Sequence, residues 1–163
     1  MITDTQINLL IFPLPLLLFI PYIVINYGVL NSFSESWYVL PNGKKWLFTY
    51  TMYFTGFLVI PLYPSIYNLL AGASLAIVGV STAFRGTNFQ KILHFFGALS
   101  GIILIQVSWV IVTHNWFPSI LWLVLSIAII WACDRQEHEE ETIWWLEVWS
   151  FLLIYITLIW WLW

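Results

Sequence analysis

Apolar residues in this chain gather into long blocks separated by short polar punctuation, and they do not alternate with polar ones. Six blocks stand out: Asn8 to Leu30, Trp46 to Tyr63, Ile66 to Phe84, Lys91 to Thr113, Phe117 to Cys133 and Ile143 to Trp163. Crossing ~30 Å of hydrocarbon takes roughly 20 helical residues, and the fifth block is the shortest of the six. None carries the period-2 pattern of barrel strands, and a backbone amide in hydrocarbon must be paired within its own segment. The pattern predicts an all-α protein, a polytopic transmembrane helical bundle of six spans forming a single integral membrane domain over residues 1–163.

Composition agrees with lipid as the solvent: 61% of residues are apolar and 8% charged, with a mean hydropathy of +0.89. Charge adds orientation, because basic residues bias the loops that carry them to the cytoplasmic side. Lys44 and Lys45 fall in the first connection, Arg85 and Lys91 at the third and Arg135 in the fifth. The expected topology has both termini outside and the odd loops on the cytoplasmic or matrix side of a bacterial inner or organellar inner membrane. The N-terminus begins Met1-Ile2-Thr3-Asp4 without a positive segment or a small-residue cleavage site, so it is expected to remain as a helix. Pro13, Pro15 and Pro21 should make that helix irregular, with a bend near Pro21. The single cysteine, Cys133, excludes an internal disulfide and reads as a packing residue.

Small residues point to where helices touch. Gly72, Ala76, Gly79 and Ala83 recur at helical spacing on the third span, and Gly97 and Gly101 form a GxxxG on the fourth. Lipid gives no hydrophobic drive between helices, so close backbone approach over such residues supplies the dispersion contacts. The expectation is a tight hairpin of spans three and four, with a homodimer seam as the alternative. Ten of the twelve tryptophans lie from Trp109 onward. Trp116, Trp144, Trp145, Trp160, Trp161 and Trp163 fit interfacial anchors. Trp122, Trp131, Trp144, Trp145 and Trp149, with Glu147, are candidates for lipid or partner contact.

Candidate chemistry is sparse. His94 and Glu147 are the ionisable groups inside spans, each one turn from the expected cytoplasmic face, where snorkelling is the simpler account. Asp134, His138 and Glu141 in the acidic connector would share one helical face, with Glu137 adjacent, and could hold a divalent ion, although a connector outside the membrane is polar anyway. His94 and His114 bracket one span and lie ~30 Å apart, so they cannot share a metal. A serine-based site has Ser32, Ser34 and Ser36 with Glu35 in the first loop and His94 on the same side. The deeper polar residues Asn26, Asn68, Ser74, Ser100, Gln106 and Ser108 include no acid or base, which argues against ion-coupled transport.

The run Ser32-Phe33-Ser34-Glu35-Ser36-Trp37-Tyr38, then Leu40-Pro41 and Phe48, resembles a signature of small, uncharacterised six-span membrane proteins of bacterial and phage genomes. Ala71-Gly72-Ala73, Val78-Gly79-Val80 and His94-Phe95-Phe96-Gly97-Ala98 are similar to later elements of the same group, so the resemblance covers roughly residues 28 to 110. The aromatic-rich last span departs from it. The resemblance implies a six-helix fold without an established reaction, and marks Ser34, Glu35, Tyr38 and His94 as a cluster.

The sequence-level expectation is a non-enzymatic integral membrane protein acting through lateral contacts, as a lipid-binding accessory subunit or a homo-oligomeric component. Its partners would be membrane lipids and other membrane subunits or copies of itself; no cofactor and no nucleic acid are expected. The alternative is an intramembrane lipid hydrolase using His94 with the first-loop serines and Glu35, and the third reading is an oligomeric pore or transporter.

Overall fold

Capping residues and prolines cut the apolar blocks into helices. The computed structural model describes residues 11, 14–62, 65–81, 86–135 and 141–162. Among them are helices α1 (Leu14–Tyr27), α2 (Ser36–Val39), α3 (Trp46–Val59), α4 (Ile66–Val80), α5 (Asn88–Thr113), α6 (Phe117–Arg135) and α7 (Thr142–Leu162), three short 3-10 turns and no strand. α1 runs on through Pro21 and ends at Gly28, whose φ of +80° a glycine adopts without steric cost. α5 opens on a capping box, in which the Thr87 hydroxyl accepts from the Gln90 amide and the Gln90 side chain accepts from the Thr87 amide. It closes at His114, a left-handed residue with φ 53°.

The all-helical expectation holds across the described residues, while six full-length spans are more than they carry. Two helices are long and apolar enough to cross a membrane, Asn88–Val112 and Phe117–Asp134; Leu14–Tyr27 and Ile66–Val80 are apolar but shorter, and the stretch Thr142–Ile156 of α7 is apolar as well. Local chemistry sets two of the shortfalls. α3 gives way to a 3-10 turn over Ile60–Leu62, where Pro61 has no amide to continue the ladder. α4 stops because Ser81 leaves helical geometry and both its amide and its hydroxyl donate to the Ile77 carbonyl, at 2.8 and 2.6 Å. Tyr63, Phe84 and the ends at Asn8 and Trp163 lie outside the described residues, as do Pro13, Ala83 and Arg85.

α3 and α4, α4 and α5, and α6 and α7 pack as antiparallel pairs. α4 sits between α3 and α5, and the packing at its two faces differs. On one face Gly72 meets Gly56 of α3 and Ile60 in the turn that follows it, and Gly79 meets Met52 and the Thr49 carbonyl of α3. On the other, Ser100 of α5 donates to Ser74 at 3.0 Å, Ser65 and Ser108 hydroxyls lie 3.0 Å apart, and Gly97 abuts the Ser74 carbonyl. This corrects the expected pairing. Gly97 and Gly101 do face α4, but Gly72, Ala76 and Gly79 face α3, because a one-turn stripe on α4 can serve only one neighbour. The residue that completes that seam is Gly56, which the spacing on the third and fourth spans did not single out.

The last two helices form a second hairpin. The Trp122 indole of α6 donates to Ser150 of α7 at 2.9 Å, and Ser119 of α6 donates to Gln106 of α5 at 2.9 Å. α1 lies along α3 through Phe19 and Phe48, whose ring centroids are 6.3 Å apart.

Candidate functional site

The first connection is not a solvated loop. Residues 33–39 coil into a 3-10 turn and one turn of α2 that tuck into the end of the bundle, leaving Phe33, Ser34, Ser36 and Leu40 buried. Phe33 is the hub. Its ring lies 5.5 Å from Phe19 of α1, 5.8 Å from Phe48 of α3, and 5.8 and 5.9 Å from Trp144 and Phe151 of α7. Such edge-on and tilted aromatic pairs add to the area they bury, which makes one side chain the joint between three helices.

Two polar contacts fix the segment beside that ring. The Phe33 amide donates to the Glu147 carboxylate of α7 at 2.7 Å. Next along the chain, the Ser34 hydroxyl lies 2.7 Å from Nε2 of His94 on α5. The other imidazole nitrogen, Nδ1, is 3.1 Å from the Ser81 carbonyl at the end of α4. A carbonyl only accepts, so Nδ1 carries the proton and Nε2 is left to accept from Ser34. The imidazole is thereby held in one tautomer by one helix end and aimed at a serine from another connection. This is the relation a general base has to a serine nucleophile, and equally that of a buried polar pair that closes its own hydrogen bonds.

Space decides what the pair can meet. A cavity of about 20 Å³ adjoins Ser34 and Glu147, walled by Leu75, Val78, Ala98 and Ile102. That volume holds one water molecule and not an acyl ester.

Several sequence-level candidates sit differently from their expected settings. His94 and Glu147 do not lean outward to the interface. His94 is 3% exposed, and the Glu147 carboxylate is turned inward to a backbone amide, because each finds a partner in the 33–39 segment. Trp144, expected at the surface, is 1% exposed beneath Phe33. Trp122 is engaged with Ser150 and Trp149 is half-buried, while Trp131 and Trp145 are exposed. Glu35 and Tyr38 share the segment with Ser34 and are half-buried, Tyr38 with its ring 5.0 Å from Trp37. Of the acidic connector, Asp134 and Glu141 are described, and the Trp145 indole donates to Glu141 at 3.4 Å; Glu137 and His138 lie outside the described residues. Among the described residues no three His, Cys, Asp or Glu side chains converge on one point.

Sequence reasoning reached Ser34 and His94 but missed Phe33, Ser81 and the inward role of Glu147. The available signal was a phenylalanine set among serines in a stretch read as loop. The chain matches no family model, no curated protein and no solved structure.

Proposed function

We propose that the chain is a six-span integral membrane bundle that works through lateral contacts, with lipid and with other membrane subunits or copies of itself. The observation that carries this reading is the polarity of its surface. Large apolar side chains point outward on every long helix: Leu18 and Ile25 on α1, Phe57 on α3, Val80 on α4, Leu99 on α5, Ile127 on α6 and Ile156 on α7, each more than half exposed. Ser34, Ser36, Ser74, Ser81 and His94 are instead buried and bond to one another or to backbone, and Glu147 accepts from the Phe33 amide. A water-soluble monomer rarely leaves contiguous apolar surface on this scale, and in lipid that surface costs nothing.

The parity of six spans is supported by which connections meet. Residues of the first connection bond to the start of α5 and of α7, and the start of α4 bonds to the far end of α5. The first connection and the starts of α5 and α7, with Lys44, Lys45 and Lys91, thus gather at one end, which the basic-residue bias assigns to the cytoplasm or matrix.

Two measurements test the reading. In a Cys133→Ser background, single cysteines at Gly43 and Asn115 should be labelled from opposite sides of the membrane, and the protein should resist alkaline carbonate extraction. Labelling of both from one side, or release by carbonate, would remove the six-span topology. Native mass spectrometry after mild detergent extraction should find lipid or further copies attached; a stable, lipid-free monomer would end the lateral-contact role.

The Ser34–His94 geometry favours a second reading, an intramembrane serine hydrolase of lipid esters: His94 takes the Ser34 proton as the oxygen attacks the carbonyl carbon, returns it to the alcohol as the ester C–O bond breaks, and then draws a proton from the water that cleaves the acyl-serine. It requires the 33–39 segment to move, because the present cavity excludes such a substrate. A fluorophosphonate probe should then label the wild-type protein in membranes and spare Ser34→Ala and His94→Ala. An unlabelled, correctly folded wild type would leave the pair a structural one.

A further inference from the structure

We propose that the groove between α1 and α3 binds one acyl chain of an anionic phospholipid, with its headgroup held at Lys44. The inference rests on the membrane-embedded reading above and names the lipid class and the place. The groove has a volume of about 410 Å³ and is walled by Leu14, Leu18, Tyr22, Leu47, Tyr50 and Phe54. That is within the range of small-ligand sites, and its walls are almost wholly hydrocarbon and aromatic. Tyr50 and Phe54 stack with ring planes 10° apart, giving α3 a flat wall against which a chain can lie.

Length argues for a lipid over a partner helix. From Leu14 to Tyr22 the groove runs eight residues of α1, about 12 Å at the helical rise. One leaflet of a ~30 Å hydrocarbon core is about 15 Å deep, so the groove matches the chain of a lipid in a single leaflet, whereas a second transmembrane helix would need the full thickness.

Charge argues for an anionic headgroup. Where the groove ends, the Lys44 ammonium lies 3.3 Å from the Tyr22 hydroxyl and 5.7 Å from the centre of its ring. Tyr22 is itself a groove wall, so the cation stands at the mouth. An ammonium has three donors, and two remain for a phosphate oxygen after Tyr22 is served. Lys45 follows directly, its ammonium 4.2 Å over the Trp37 ring, and adds a second positive charge to the same end. By the basic-residue bias this end faces the leaflet in which anionic lipids are concentrated.

The test is native mass spectrometry of detergent-purified protein titrated with phosphatidylglycerol and, separately, with phosphatidylcholine of the same acyl chains. Phosphatidylglycerol should bind more tightly. Lys44→Gln should weaken it about five-fold, the worth of one cation beside an anionic surface, and leave phosphatidylcholine unchanged. Lys44→Arg should restore the preference, and Lys91→Gln, at another helix start, should not alter it. Leu18→Trp fills the groove from a position that is 72% exposed and should weaken both lipids; Leu14→Trp does the same from the other end. Equal affinity for the two lipids, or binding indifferent to Lys44→Gln and to both tryptophan variants, overturns the proposal. A dimer that Leu18→Trp disrupts would assign the groove to a second copy and overturn it too. If these outcomes come from protein that resists carbonate extraction, the membrane-bundle reading stands and only the lipid site falls.

Discussion

Phe33→Ala is expected to be the most damaging single truncation in the chain, costing about 3 kcal/mol of bundle stability. The low end of the usual aromatic-to-alanine range applies because lipid accepts an aromatic ring almost as readily as the bundle does. The loss comes from packing: four ring partners on three helices lose their common neighbour at once, and they cannot all collapse into the gap. Phe33→Leu keeps most of the volume and should cost less than half as much. Phe57→Ala, on the outer face of α3, should fall within about 0.5 kcal/mol of wild type. Chemical denaturation in detergent micelles, followed by tryptophan fluorescence, gives all three values. If Phe33→Ala and Phe57→Ala proved equal, the hub described for the 33–39 segment would be wrong.

The second large effect belongs to the α3–α4 seam. A methyl group on Gly56 would lie 2.6 Å from the Gly72 carbonyl oxygen, and one on Gly72 would lie 2.5 Å from the Gly56 carbonyl oxygen. Both obstacles are backbone, so no rotamer change relieves them and the helices have to separate. Gly56→Ala and Gly72→Ala should each destabilise by about 1–3 kcal/mol, and Gly72→Val by more. The double alanine variant should cost less than the sum, because the first methyl already opens the seam that the second would occupy. Gly43→Ala is the matched control, since a methyl there meets nothing within 4 Å. Additive losses in the double variant would mean that the two glycines do not face each other.

How much of this was legible beforehand depends on the physics each feature uses. The helical character was plain from the apolar blocks, because hydropathy and backbone pairing act within a segment. The close approach of Gly97 and Gly101 to α4 was likewise legible, as a short connection obliges those two helices to be neighbours. Which face of α4 turned to which neighbour was not, for Gly72 and Gly79 fit α3 and α5 equally well as spacing. Ser34 and His94 were legible as a pair of reactive types expected at one end of the bundle. Their 2.7 Å contact was not, since it depends on the first connection folding inward. The same inward fold hid the roles of Phe33, Trp144 and Glu147: polarity counts marked the stretch as loop, and only the three-helix aromatic cluster makes burying it worthwhile. Helix lengths were over-read where Pro61 and Ser81 end the regular ladder before the apolar block does.

The contact between Phe33 and Glu147 joins residues 114 positions apart, and this bears on how the protein is made. A ribosome delivers the aromatic plug well before its acceptor. Throughout synthesis the nascent chain therefore carries an unfinished end, with an amide and a ring awaiting α7. Arrival of α7 supplies the Glu147 acceptor and the Trp144 and Phe151 rings together, so until then the seat of the 33–39 segment stays open.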